Sequence, residues 1–313
     1  MPLHPQAQMF LDQAAGQPGP HEMSIEDARA MMDAFNALAG DPQPVASVED
    51  REIEGPGGPL RLRVYRPSDA PDLPVTVYYH AGGFVMGSLD SHDSLCRALC
   101  NGADSIVVGV EYRRSPEHKF PAPVDDAFAT LQWVATNAGE LGGDASRLAV
   151  AGDSVGGGLA TIVSILARDA GGPPIRLQVM VYPDLEWSFS SPSWTEYGRG
   201  YFVTIETAEW LREQYFTSPD EWGDWRASPL RCPDLGGLPP ALILCPEYAA
   251  PRSDIEAYAQ RLEDAGVPTT FSLYEGMLMG WWAMGSIMDA GRDAVDEATA
   301  ALRAAFAREG AAS

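Results

Sequence analysis

RLAVAGDSVGGGLATIVSIL, residues 147–166, is the stretch whose reading decides the fold. Residues 147–151 read as a buried strand and 155–169 as a helix, with Gly152-Asp153-Ser154-Val155-Gly156 between them. This is G-x-S-x-G in the setting that gives it meaning, a strand, a sharp turn and a helix. Such a turn is strained and lifts the Ser154 hydroxyl above the sheet edge. Glycines flank the serine because a side chain there would collide with neighbouring backbone. The helix N-terminus favours negative charge forming nearby.

Outward from the elbow the chain alternates. Strand-like runs fall at 46–53, 60–66, 74–79, 105–111, 147–151, 176–182, 241–246 and 269–275. Several, such as VTVYY, SIVVGV and ALILC, are almost wholly apolar, as strands covered on both faces are. Helical stretches at 92–102, 121–138, 155–169, 252–265 and 286–309 separate most of them, which predicts an α/β sandwich. Residues 1–45 read as helices broken by QPGP and DPQP. Residues 187–225 break the rhythm: Trp187, Phe189, Trp194, Tyr197, Tyr201, Phe202, Trp210, Tyr215, Phe216, Trp222 and Trp225 crowd into one segment. Two compatible readings stand, a small helical insert with its own apolar core, or a cap whose aromatics wall a pocket.

Composition narrows the function. The 313 residues carry 45% hydrophobic and 21% charged side chains, an ordinary globular balance that excludes disordered, collagen-like and coiled-coil chains. A net charge of −23 disfavours nucleic-acid binding, because such a surface repels phosphate. No apolar run is long enough to predict a membrane span, and MPLHPQAQMF lacks the basic start and apolar core of a secretory signal. The four cysteines, Cys96, Cys100, Cys232 and Cys245, make no disulfide framework, so the expected compartment is the cytoplasm. Lys119 is the only lysine, so Schiff-base chemistry would have to use it.

A second motif lies at TVYYHAGGFVMGSLDSHD, residues 76–93. His80-Ala81-Gly82-Gly83-Phe84 follows a strand and matches the H-G-G-G type of oxyanion loop, with alanine at its first glycine. Gly82 and Gly83 would aim bare N–H groups at a developing oxyanion, joined by the N–H of Val155.

These motifs, with EYRRSPEHKFPAPVDDA at 111–127 and the region 241–284, resemble the bacterial hormone-sensitive lipase family of α/β-hydrolases along nearly the whole chain. The resemblance implies a mostly parallel eight-stranded sheet flanked by helices, with a core of 46–186 and 226–313. Residues 1–45 and 187–225 would form a helical cap. It implies carboxylic-ester hydrolysis by serine, histidine and aspartate, without metal or cofactor, and a homodimer. The expected pocket residues are His80, Phe84, Asp153, Trp187, Tyr201, Phe202 and Trp281.

Two of the family's three catalytic positions hold other residues. Where the family places its acid, in a run like A-E-Y-D-P-L-R-D-E, this chain reads Pro246-Glu247-Tyr248-Ala249-Ala250-Pro251-Arg252-Ser253-Asp254, which puts Ala249 there. Where the family has G-M-x-H-G-F, it reads Gly276-Met277-Leu278-Met279-Gly280-Trp281, which puts Met279 at the histidine. The five histidines are His4, His21, His80, His92 and His118, so none lies near the C-terminus. A serine hydroxyl is a weak nucleophile until a base takes its proton, and a thioether cannot. Losing that histidine costs on the order of 10⁶-fold in turnover. Glu186 and His92 are the first candidates for a substitute base; Asp184, Glu247, Asp254 and His118 come behind them.

Three functions follow. The first keeps the oxyanion hole for non-hydrolytic chemistry, such as elimination, cyclisation, decarboxylation or acyl transfer, on a small apolar carbonyl compound of specialised metabolism. The second is a carboxylesterase with a substitute base or weak residual activity. The third is a non-catalytic binder of a small ligand, as in the gibberellin receptors, which resemble the family and lack its histidine.

Overall fold

The computed structural model describes residues 2–307; the last two residues of the helix expected at 286–309 lie outside them. All eight expected strands form and join in one sheet: β1 (Ser47–Gly55), β2 (Gly58–Arg66), β3 (Leu73–Tyr79), β4 (Ile106–Glu111), β5 (Gly143–Asp153), β6 (Gln178–Val181), β7 (Ala241–Tyr248) and β8 (Thr269–Leu278). Their order is β1-β2-β4-β3-β5-β6-β7-β8. β1 and β2 pair antiparallel, as do β2 and β4, and every later pair is parallel. The edge strand β1 is mostly exposed and carries Glu49, Asp50, Arg51 and Glu52, charges that discourage another chain from pairing there.

The apolar runs are covered on both faces, as their composition predicts. Tyr78, Val107, Ala149 and Ala151 pack with Leu95 and Leu99 of α3 (Asp93–Ala103) and Ala298 and Leu302 of α9 (Asp289–Phe306). Their neighbours one residue along, Val77, Val108 and Val150, pack with Leu131 of α4 (Ala122–Asn137) and Leu159 and Val163 of α5 (Val155–Asp169). This is the period of two in a strand sandwiched between helix layers. The four cysteines are free and buried.

Residues 5–39 hold α1 (Pro5–Ala14), α2 (Ile25–Ala34) and two 3₁₀ turns. The aromatic segment holds α6 (Pro192–Tyr197) and α7 (Ile205–Tyr215). It is tied to α8 (Arg252–Asp264) through Asp254, whose carboxylate accepts from Ser191 Oγ at 3.1 Å and Trp194 Nε1 at 3.2 Å. Asp254 therefore faces the segment and is buried.

What positions the site is the contact between α5 and the strand ends. A Cβ built on Gly156 would sit 1.9 Å from Tyr79 O, one on Gly157 3.1 Å from Pro183 Cα, and one on Gly158 2.5 Å from Asp184 O. Three consecutive glycines thus let the first turn of α5 lie directly on the ends of β3 and β6. Gly156→Ala places carbon against backbone, which cannot swing aside. We expect it to destabilise by at least about 3 kcal/mol, at or beyond the upper end of ordinary overpacking. Gly139→Ala, with nothing within 4 Å of its built Cβ, should change stability by no more than about 1 kcal/mol. Urea unfolding of the two variants checks the contrast; similar midpoints would show that α5 is free to shift.

Candidate functional site

Ser154 sits between the end of β5 and the start of α5 with φ 55°, ψ −124°. Only a strained turn holds a non-glycine residue there. The strain is maintained by backbone bonds on both sides. Ser154 N–H donates to Val181 O at 2.9 Å, and Ser154 O accepts from Gly158 N–H at 3.0 Å and Asp184 N–H at 3.1 Å. The side chain makes a third link to the same place: Ser154 Oγ donates to Asp184 Oδ2 at 2.9 Å. Asp184 lies just past β6, the neighbour of β5 in the sheet. Both residues are partly exposed, and both line the cavity described below. Burial drives the Asp184 carboxyl up to about 6; the Ser154 hydrogen bond opposes this, and the charges of Asp254 and Asp153 add to it.

The two residues placed first as substitute bases are otherwise engaged. Glu186 accepts from Arg231 Nε at 2.6 Å and Nη2 at 2.7 Å, and from Ser188 N–H at 2.9 Å. His92 is 2% exposed, with Nδ1 2.8 Å from Ser91 Oγ and Nε2 3.4 Å from Asp153 Oδ1. The structure corrects the order: the carboxylate on Ser154 is Asp184, and the readable signal was its place at the first turn past the strand beside the elbow. Glu247 is engaged elsewhere, accepting from Gly276 N–H at 2.7 Å.

Under the elbow lies a buried polar group. Asp153 accepts from Tyr78 Oη at 2.7 Å and Tyr182 Oη at 2.9 Å, and Trp282 Nε1 donates to Tyr78 Oη at 3.2 Å. Burial raises the Asp153 carboxyl, but the charge and hydrogen bond of His92 and the two tyrosine hydroxyls outweigh it and hold it below the usual carboxylate range. The His80 ring is pushed down to about 3, by burial first and His92 second. It is therefore neutral near pH 7. It stacks on Tyr112 at 4.2 Å and bonds Ala81 O through Nδ1 at 2.7 Å.

The loop after β3 turns through Gly82 (φ 126°) and Gly83 (φ 64°), and Gly82 O accepts from Met86 N–H at 2.8 Å. A Cβ on Gly83 would meet the Leu211 side chain at 2.4 Å, so α7 rests directly on this loop.

Gly82, Gly83, Asp153, Ser154, Asp184, Glu186 and His92 share the wall of a cavity of about 940 Å³. From the aromatic segment, Trp187, Phe189, Trp194, Tyr201 and Phe202 reach it. Tyr215, Phe216, Trp222 and Trp225 do not line it; they pack into the core between the sheet and its helices, so the segment has no separate apolar core for these residues, while its other aromatics wall the cavity. Met279 lines the cavity, whereas Ala249 is buried away from it. Three expected pocket residues are corrected. His80 lies beneath the glycine loop, Phe84 stacks on Tyr215 at 4.1 Å, and Trp281 packs on Tyr182 and Tyr274; none lines the cavity. Large rings of this kind gain more from core packing than from a cavity wall. Phe10, Met32 and Phe35 complete the wall from the N-terminal segment, and the apolar faces of its helices were the available signal.

Residues 76–283 match the α/β-hydrolase fold family. The esterase LipI of Mycobacterium tuberculosis is 38% identical over 290 residues, 91% of each chain. Carboxylesterase NlhH of the same species is 40% identical over 268 residues, 84% of each chain. Among solved structures, an ester-hydrolase from the metagenome of Lake Arreo, bound to a bipyridine phosphonate derivative, superposes with a TM-score of 0.93 at 38% identity, covering 97% of this chain and 99% of that one. The Pyrobaculum calidifontis esterase gives 0.92 at 40% identity over 97% and 99%. Fold, elbow and relatives agree: the chain belongs to the α/β-hydrolase-fold family and is an esterase-type member of it, of the hormone-sensitive lipase kind.

Proposed function

We propose that the protein hydrolyses apolar carboxylic esters through an acyl-enzyme on Ser154. The observation that carries this reading is the placement of Ser154 at a strained strand-to-helix turn, on one cavity wall with Gly82 and Gly83. The N–H groups of Gly82, Gly83 and Val155 receive the oxyanion. Residues 1–45 and 187–225 form the cap over a core of 46–186 and 226–313, since both segments supply cavity wall. The cavity's methionines and aromatics favour an uncharged acyl or aryl group over a charged one. Four unpaired buried thiols favour a reducing compartment, the cytoplasm. Among the described residues no helix is long and apolar enough to cross a membrane.

Non-hydrolytic chemistry and ligand binding were attractive because Ser154 looked bare of a base. A carboxylate at 2.9 Å from its Oγ answers that objection and moves ester hydrolysis from second place to first. Ala249 and Met279, at the family's acid and base positions, make the enzyme slower than relatives with a complete triad.

Nitrophenyl esters of graded acyl length give the test. We expect measurable turnover, at least about 10³-fold above Ser154→Ala, with kcat below that of complete relatives. Turnover unaffected by Ser154→Ala would sink the reading. The oxyanion assignment has its own check. Gly83→Ala collides with Leu211 at a positive φ and should lower kcat by on the order of 10²-fold while the protein stays folded. An unchanged kcat would move the oxyanion elsewhere.

A further inference from the structure

We infer that Asp184 is the general base, and then the general acid, of this site. The inference rests on the ester-hydrolase reading and supplies the group that reading lacks. Four acidic or imidazole side chains line the cavity among the described residues: His92, Asp153, Asp184 and Glu186. Glu186 is clamped by Arg231, and His92 and Asp153 face each other within a buried network closed by Tyr78 and Tyr182. Asp184 alone of the four has a hydrogen bond to the nucleophile, 2.9 Å from Oγ, within the reach proton transfer requires.

Its position is fixed by backbone rather than by chance of rotamer. Asp184 N–H is bonded to Ser154 O at 3.1 Å, and its carbonyl rests where a Gly158 side chain would stand. Acid and nucleophile therefore move as one unit. Its basicity is also adequate. With its pKa raised to about 6, Asp184 approaches the roughly 6.5 of imidazole, far above the roughly 3.9 of a solvated aspartate. The groups that act on it are Asp254 of α8 and Asp153 at the end of β5, both carboxylates that oppose a further negative charge. Tyr182, whose hydroxyl bonds Asp153, is held protonated by burial. Glu186, in the same loop, is neutralised by Arg231.

The steps balance with water as the only co-reactant. Ser154 Oγ attacks the ester carbonyl carbon as its proton passes to Asp184 Oδ2, and the carbonyl π pair moves to the oxyanion oxygen. That pair returns as the bond to the leaving oxygen breaks, and Asp184 gives the proton to the departing alcohol. Water then loses a proton to Asp184 and attacks the acyl carbon. Ser154 leaves, takes the proton back, and the carboxylic acid is released.

The test uses a fluorophosphonate probe, because its attack by Ser154 does not depend on which ester is the substrate. Labelling is followed by mass spectrometry against pH in the wild type, Asp184→Asn and Asp184→Glu, with folding of each checked by circular dichroism. Only the ionised carboxylate accepts a proton, so the wild-type rate should rise with pH through about 6 and then level off. Asp184→Asn keeps the shape but should label about 10²- to 10⁴-fold more slowly and without that rise. Asp184→Glu should recover part of the rate and the rise. Labelling of Asp184→Asn at the wild-type rate, or persistence of the rise in it, overturns the assignment, since a purely positioning role would leave the titration in place. Absence of wild-type labelling at every pH also overturns it. Asp184-dependent labelling with no ester cleaved would defeat the ester reading alone and leave the base assigned.

Discussion

Everything at the site depends on one steric constraint: the backbone of α5 passes so close to the end of β3 that residue 156 has no room for a Cβ. Helix and strand are locked at contact distance, and the residues between them must turn within five positions. Ser154 carries the cost of that turn as a positive φ, which hydrogen bonds to Val181, Gly158 and Asp184 sustain. Isolated, such a conformation costs on the order of 1–3 kcal/mol and would relax. Here relaxation would break bonds to two strand ends at once. The Ser154 hydroxyl is thus pre-oriented by the fold, not by its own side-chain preferences.

The same close packing reaches outward. Gly158 brings α5 onto the Asp184 carbonyl, and Leu211 of α7 presses on Gly83. Loop after β3, elbow, and first turn after β6 are therefore three faces of one rigid corner. The aromatic segment lies on top, anchored to α8 by Asp254 through Ser191 and Trp194. A carboxylate buried in that anchor is held up to about 6, by burial first. Its charge adds to the rise of the Asp184 carboxyl, which burial drives first.

The sheet was legible because its information is local. Runs such as VTVYY and SIVVGV carry their covered state in composition alone, and the elbow and glycine loop are short motifs with fixed neighbours. What failed to show was the direction in which side chains point once elements pack. Phe84 and Trp281 sit beside the glycine loop and Met279 in sequence, yet their rings turn into the core, where aromatic area is best covered. Asp184 was visible as a residue, but its hydrogen bond to Ser154 spans 30 positions and depends on β5 and β6 being neighbours in the sheet. Glu186 ranked ahead of Asp184 in the sequence, but Arg231, 45 positions further along, holds it.

That geometry also bears on the company an apolar residue at position 279 keeps with the carboxylate at 184. Both line one cavity. Asp184 owes its raised pKa to burial and to two neighbouring carboxylates, with no cation among the causes. An imidazole on the same cavity wall would become a cation whenever it took a proton, and a nearby cation favours the ionised carboxylate. It would draw the Asp184 pKa down and make it a poorer base. A thioether takes no proton, so Met279 adds no such cation to the wall. A protonated imidazole at position 279 would thus oppose the raised pKa that burial, Asp254 and Asp153 give Asp184, and an apolar residue there does not.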